Sequence, residues 1–335
     1  MRNKQNIRFL IVVLLHIIGL LTVLLISINS GYISLTPKET LKTLFGQGTE
    51  QQELILFSFR LPRLILAMLV GAGLSVSGCV FQAVSKNSLA SPSLLGINAG
   101  GGLSVLLFIY LTPVNTLIGI FTLPVISIIG ASITALCIYR LSHKKEEAIS
   151  PIRLVLIGIG VSAGIQAIEL ILTTRLSPEK FNRVNIWTIG SLFGSNWNYI
   201  IALLPWVCII IPYFLYHSRK LNILRLSDEV SVGLGANLKR ERFIFLMMAV
   251  ALAGASIAVG GAIGFVGLIC PHLTRKLVGP RHEKVIPVAT LSGALLLSTA
   301  DLISRTIVQP NEIPLGIVVS IVGAPYFLYL LMRAD

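Results

Sequence analysis

Charged side chains are scarce in this chain of 335 residues: Asp, Glu, Lys and Arg make up 12% of it, about half the share of a soluble domain. Acids are the scarcer sign, 14 against 27 Lys and Arg, for a net charge of +13. With 54% hydrophobic residues and a mean hydropathy of +0.85, too little polar surface is left to cover a globule. A soluble enzyme, a disordered chain and a secreted disulfide scaffold are excluded. Polar stretches are all short, so residues 1–335 read as a single transmembrane domain without a large extramembrane one. Cysteine is sparse as well, four residues in all. Cys79, Cys137, Cys208 and Cys270 sit inside apolar runs without CxxC or Cys/His zinc spacing, and act as small hydrophobes.

The motifs of chemistry are missing. No G-x-x-x-x-G-K-[ST] occurs, so the chain has no nucleotide P-loop of its own. The clusters Gly71–Gly73 and Gly100–Gly102 lie in apolar helices rather than at a strand-to-helix turn, and Gly46–Gly48 lacks a third glycine. H-E-x-x-H and G-x-S-x-G are absent too. Neither a catalytic residue, a metal site nor a bound cofactor is expected. The positive charge belongs to membrane topology rather than to nucleic acid, because Lys and Arg gather in cytoplasmic loops.

What the chain has in abundance is apolar runs. A spanning helix needs about 20 mostly apolar residues. The runs that qualify are Phe9–Ile28, Leu64–Val84, Leu94–Leu111, Ile118–Tyr139, Leu154–Thr173, Tyr199–Tyr216, Val285–Ser304 and Ile313–Met332. Phe243–Val278 is either one long helix ending near Cys270 or two helices turning at Gly260-Gly261. Charge sidedness separates these. Ten helices place nineteen Lys and Arg inside and eight outside, whereas nine give fifteen against twelve. The inside excess favours ten, an all-α bundle with both termini cytoplasmic. The first run follows Arg2, Lys4 and Arg8, but its apolar core is longer than a signal peptide's ~7–15 residues, so it is read as an uncleaved helix. Rows of small residues, Ala67, Gly71 and Ser75 in one helix and Gly260 and Gly264 in another, predict close helix packing.

Polar residues inside the spans are few. Glu169 is expected to hydrogen-bond Gln166 or a neighbouring helix rather than couple an ion. Asp301 has Arg305 one turn on as a ready partner. Gln82 and Asn98 are further candidates for a pathway or structural role. His16 reads as a neutral bundle-facing side chain, and His272 as the anchor of a local turn.

Three constellations stand out. Arg60-Leu61-Pro62-Arg63 places two arginines on the outer side, against the sidedness rule, with Pro62 suited to a helix's first turn. With Arg305 they form a cationic outer rim for carboxylates of a docking protein. The run Gln82–Gly96, containing Asn87 and Leu89, joins two helices inside, with Pro92 starting the second, and suits a narrow polar constriction. The run Leu226–Arg242 offers Ser227 as a helix cap, with Asp228 and Glu229 at its positive end, Gly235 to end it and Asn237 to cap the next. Two short surface helices follow, and Val230, Val232 and Leu234 on them imply a partner surface.

The sequence resembles the permeases of the iron–siderophore and cobalamin ABC importers, the FecCD group, along nearly its whole length. The resemblance rests on RLPRLILAMLVGAGLSVSGCVFQAVSKNSLASPSLLG (60–96), LSDEVSVGLG (226–235), GAIGFVGLICPHLTR (261–275) and ADLISRTIVQPNEIPLGIVVSIVGAPYFLYLL (300–331). Ser88 stands where the group has Pro. The resemblance implies a type II ABC importer permease of ten helices in the bacterial cytoplasmic membrane. It implies a second permease, a paralogue rather than a copy, around a central path. It also implies two cytoplasmic ATPase copies that use the ATP, and an extracytoplasmic substrate-binding lipoprotein. The cargo would be a ferric siderophore, the commonest for the group; haem or cobalamin permeases look alike, and a stand-alone secondary transporter is the alternative of another class. Arg60, Arg63 and Arg305 would then meet the binding protein, and Asn87 and Leu89 would lie at the cytoplasmic gate. Leu226, Ser227, Asp228, Glu229, Val230, Gly233, Leu234 and Gly235 would fill the ATPase groove.

Overall fold

Backbone N–H and C=O groups in hydrocarbon must find partners within their own segment. The structure, a computed structural model, accordingly has helices and turns and no strand among its described residues, which are 2–31, 33, 35–112, 116–142 and 151–332. In chain order these are α1 (Arg2–Asn29), α2 (Pro37–Leu44), α3 (Glu50–Glu53), a π-helical stretch (Leu54–Arg60), α4 (Leu61–Val84), α5 (Ile97–Leu111), α6 (Leu117–Ser142), α7 (Pro151–Thr173), α8 (Pro178–Thr188), α9 (Trp197–Tyr216), α10 (Ser218–Leu224), α11 (Asp228–Gly233), α12 (Leu238–Gly260), α13 (Val266–Val278), α14 (His282–Thr306) and α15 (Leu315–Met332).

Among the described residues, eight helices are long and apolar enough to cross a membrane. The other two runs read as spans are the shorter α5 and α13. At 1.5 Å per residue α13 covers about 20 Å, less than a hydrocarbon core of roughly 30 Å. The irregular backbone ahead of it, residues 261–265, is buried or half-buried in protein, the setting that non-helical backbone needs at membrane depth. The ambiguous run divides at Gly260-Gly261. Gly261 has a φ of +75°, and an added Cβ would lie 2.1 Å from the carbonyl oxygen of Trp187, so both conformation and space demand glycine here.

α4 is the centre of the bundle, packed against α14, α12, α13 and α9, while α5, α6 and α7 form a second group joined to it through α12. Burial follows that order. In the Glu50–Val84 span 83% of the most apolar window is buried, but in α1 and in α7 only 6% is. The small-residue row on α4 behaves as its spacing predicts. Ala67 is buried, an added Cβ on Gly71 would lie 2.1 Å from the Gly293 carbonyl oxygen, and Ser75 Oγ donates to Ala289 O at 2.7 Å. The row on α12 does not. Gly260 packs on Val70, but Gly264 has nothing within 4 Å, because it lies in the irregular backbone after Gly261, where helical spacing defines no face.

Two starts differ from expectation. Pro92 does not begin a helix: residues 92–96 form successive turns, and α5 starts at Ile97. Gly96, at φ +77°, separates them, with Ser162 Oγ 2.3 Å from where its Cβ would stand. Asn237 caps a helix as read, its Oδ1 accepting from Arg240 N at 3.1 Å, but that helix is the long α12. The short pair is therefore α10 and α11.

Candidate functional site

Polar contacts between helix ends sort the bundle into two faces. On one, Arg8 at the start of α1 donates to Lys276 O near the end of α13, and Lys284 Nζ donates to Asn6 Oδ1 at 2.8 Å. On the opposite face, the end of α1 meets the start of α4 and the end of α14.

That opposite face holds the three arginines of the expected rim, and none presents a free guanidinium. Pro62 lacks an N–H, so the helix ahead of it widens: Leu61 N–H donates to Leu56 O, five residues back. Arg60, the last residue of the widened stretch, is buried and donates to the carbonyls of Ile28 and Ile33. Arg63 Nε donates to Asp301 Oδ1 at 2.7 Å, and its Nη1 reaches both carboxylate oxygens of Glu312, at 3.0 and 2.8 Å. Arg305 donates to Ser27 O at 2.9 Å and to Ser27 Oγ, and its Nε lies 3.3 Å from Asp301 Oδ2. The i,i+4 pair expected for Asp301 is present, but Asp301 is shared with Arg63 and fully buried. The picture of guanidinium groups held outward by Pro62 is thus corrected: chain carbonyls and carboxylates take them up. Sequence reasoning missed Glu312; the one signal was an acid in the Pro310-Asn311-Glu312 turn facing a cationic cluster.

On the first face, the loop after α4 meets the segment before α12. Lys86, at φ +52°, extends its Nζ to Asp228 Oδ1 at 2.5 Å. Arg242 of α12 grips the same carboxylate at 2.6 and 3.2 Å. These two cations hold the Asp228 carboxyl down at about 2. Glu229 is held below the usual carboxylate range by hydrogen bonds at the helix start, its own backbone N–H first and then Ser227. Ser227 Oγ caps α11 through Val230 N at 3.4 Å, and Gly235 follows with a φ of +83°. Leu226, Val230, Val232 and Leu234 are all exposed. Gly233 and Gly235 have open space around them. In the neighbouring loop, Asn87 Oδ1 accepts from Leu89 N at 2.9 Å, an Asx turn, and both residues are half-buried.

The remaining polar candidates are placed as follows. Gln82 bridges α4 to α13: its Nε2 faces Gly267 O and Leu268 O at 3.4 and 3.3 Å, and its Oε1 accepts from Arg275. Arg275 is a second residue the sequence did not single out. Asn98 Nδ2 donates to Ile263 O at 3.4 Å, while its Oδ1 is buried without a partner. Glu169 differs from expectation: among the described residues no hydrogen bond joins it to Gln166 or to another helix, and its Oε1 stands 3.1 Å from where a Cβ on Gly102 would be. His16 faces the bundle as read, with its ring nitrogens 2.8 Å from Val12 O and from Ser292 Oγ. His272 lies within α13, its ring edge-on to Tyr326 at 6.0 Å, rather than in a turn. Among the described residues no group of three His, Cys, Asp or Glu could hold a metal ion. An open cleft of about 360 Å³ lies beside α15, lined by Ile189, Ala262, Gly316, Ile317, Ser320 and Ile321.

The sequence profile of the FecCD transport family matches residues 19–333. The chain belongs to the FecCD transport family. It is 47% identical to the iron(3+)-hydroxamate import system permease protein FhuG of Bacillus subtilis (strain 168), over the full length of both. It is 36% identical to the hemin transport system permease protein HmuU of Yersinia pestis, over 94% of this chain and 95% of that one. A solved transporter described as metal-chelate type ABC, in an inward-facing conformation, superposes with a TM-score of 0.81 at 30% identity, over 96% of this chain and 98% of that chain. FecCD proteins are permease components of ABC importers in the cytoplasmic membrane, and the ATPase is a separate subunit. Such a permease works with a partner permease, that ATPase and a binding protein.

Proposed function

We propose that this chain is a permease subunit that carries a ferric hydroxamate siderophore inward. The observation that carries the reading is the 47% identity, end to end, to a hydroxamate permease, against 36% to a hemin permease. The face bearing Arg8, Lys276 and Lys284 is cytoplasmic by its positive charge, which puts both termini inside. The exposed Leu226, Val230, Val232 and Leu234 then form the apolar contact for the ATPase. Arg63, with Glu312 beside it, lies at the outer rim where the binding protein docks; Arg60 and Arg305 hold that rim together. A paralogous permease supplies the other half of the path.

The chain does no chemistry. Its task is to be stable in two states whose balance is set by ATP binding in the partner, and a ligand shifts such a balance only by its difference in affinity for the two. Radiolabelled iron uptake in a strain lacking this gene tests the cargo. Uptake from ferric desferrioxamine B is expected to fall to background and to return with the gene. Unchanged hydroxamate uptake, with loss of citrate, catecholate or hemin uptake instead, would overturn the assignment.

A further inference from the structure

The outer cluster holds three guanidinium groups, of Arg60, Arg63 and Arg305, and two carboxylates, of Asp301 and Glu312. The two acids are unequal. Asp301 is fully buried and pairs with both Arg63 and Arg305, so it is fixed. Glu312 has a side chain 32% exposed and, among the described residues, bonds Arg63 alone. It sits in the connection between α14 and α15, and it is the member of the cluster that a carboxylate arriving from outside can replace without burying a new charge.

That connection leads to the cleft. Ile313 N donates to Ser304 O at 3.0 Å, and Gly316 N donates to Gly190 O at 3.0 Å. Gly316 is also pressed against Ile189, since a Cβ on it would lie 1.9 Å from the Ile189 carbonyl oxygen. Both Gly316 and Ile189 line the cleft beside α15. An unbroken covalent and hydrogen-bonded path therefore runs from Arg63 through Glu312 to the cleft wall.

We infer that Glu312 is an internal stand-in for the docked protein's carboxylate: an incoming Asp or Glu takes its place on Arg63, and the released Glu312 segment loosens the Gly316–Gly190 contact at the cleft. The inference rests on the reading of this face as the docking rim. Until docking, the stand-in keeps Arg63 neutralised and the cleft wall seated. The self-contact also lowers the apparent affinity for the partner, because only the fraction of molecules with Glu312 displaced can bind.

The test uses the assembled transporter in lipid nanodiscs and its binding protein, without the lipid anchor, loaded with ferric desferrioxamine B. Glu312→Gln removes the competing charge and is expected to tighten binding by roughly three- to tenfold. The second readout is labelling of Ser320→Cys by a membrane-impermeant maleimide, with Cys137 and Cys208 replaced by Ser. Glu312→Gln should raise the labelling rate without binding protein to the level the Glu312 parent reaches with it. Unchanged or weaker binding in Glu312→Gln overturns the stand-in, and unchanged labelling overturns the link to the cleft. Arg63→Gln and Arg63→Lys form the separate arm. If neither weakens binding, the docking reading itself fails; if both weaken it while Glu312→Gln does nothing, that reading survives and the inference does not.

Discussion

Asp301 and Asp228 are two carboxylates that each hold two cations, in opposite settings. Asp301 is buried and carries Arg63 and Arg305. Neutralising it takes the buried carboxylate from both guanidinium groups, leaving Arg63 to Glu312 and Arg305 to Ser27, and breaking a buried pair from one side costs about 3–5 kcal/mol. Asp301→Asn should therefore lower the unfolding temperature in detergent markedly, and an unchanged melting curve would refute the clamp. Asp228 is half-exposed, so salt screens its pairs with Lys86 and Arg242. Its folded pKa is depressed to about 2, which makes its contribution complete above the ordinary carboxylate value of 3.8 and lost only as pH falls through about 2. Titration of this group should leave uptake coupled to ATP hydrolysis unchanged between pH 5 and 7.5, where it stays ionised. Asp228→Asn should weaken coupling across that whole range and make what remains less sensitive to salt. A defect that appears only at acidic pH would contradict the assignment.

Helix contacts set what the elements tolerate. An added Cβ on Gly78 of α4 would lie 1.8 Å from the Gly267 carbonyl oxygen of α13, and backbone cannot step aside as a side chain can. Gly78→Ala is expected to cost roughly 1–3 kcal/mol through forced separation of the two helices. Gly264→Ala, with nothing within 4 Å, should cost almost nothing in the same thermal measurement. Equal effects would show that the α4–α13 contact is not tight. The spans were legible in the sequence because hydropathy is a local property, and the break at Gly260-Gly261 was legible because charge counts on the two sides differ between the alternatives. What stayed hidden depends on partners distant in sequence. The length of the helix after Asn237 could not be read, because a cap marks where a helix begins and says nothing of where it ends. The rim arginines could be seen, but not that Glu312, 249 residues from Arg63, would take one of them up. Pro92 looked like a helix start; residues 92–96 instead form turns, and the left-handed Gly96 separates them from the helix that begins at Ile97.

At the scale of the whole molecule, α1 and α7 lie with most of their apolar surface uncovered. Lipid or a second subunit must cover it, and an apolar surface of this kind suits both. No P-loop occurs anywhere in the chain. Reconstituted alone in liposomes, the chain should move no ferric desferrioxamine B, with or without an ion gradient. Steady accumulation in such vesicles would overturn the permease reading. The end of α1 has a further consequence, for biosynthesis. Its carbonyls at Ser27 and Ser30 are met by Arg305, made 278 and 275 residues later. Arg60, which holds the Ile28 carbonyl, follows after only 32 residues; at about 5–20 residues per second, a nascent chain then waits on the order of tens of seconds before the ribosome delivers the second arginine that ties this end to α14. A chain truncated before Arg305 would keep the Arg60 tie but lose the one to α14, and so would leave that end half-fastened, nearer the reach of the membrane's quality-control proteases.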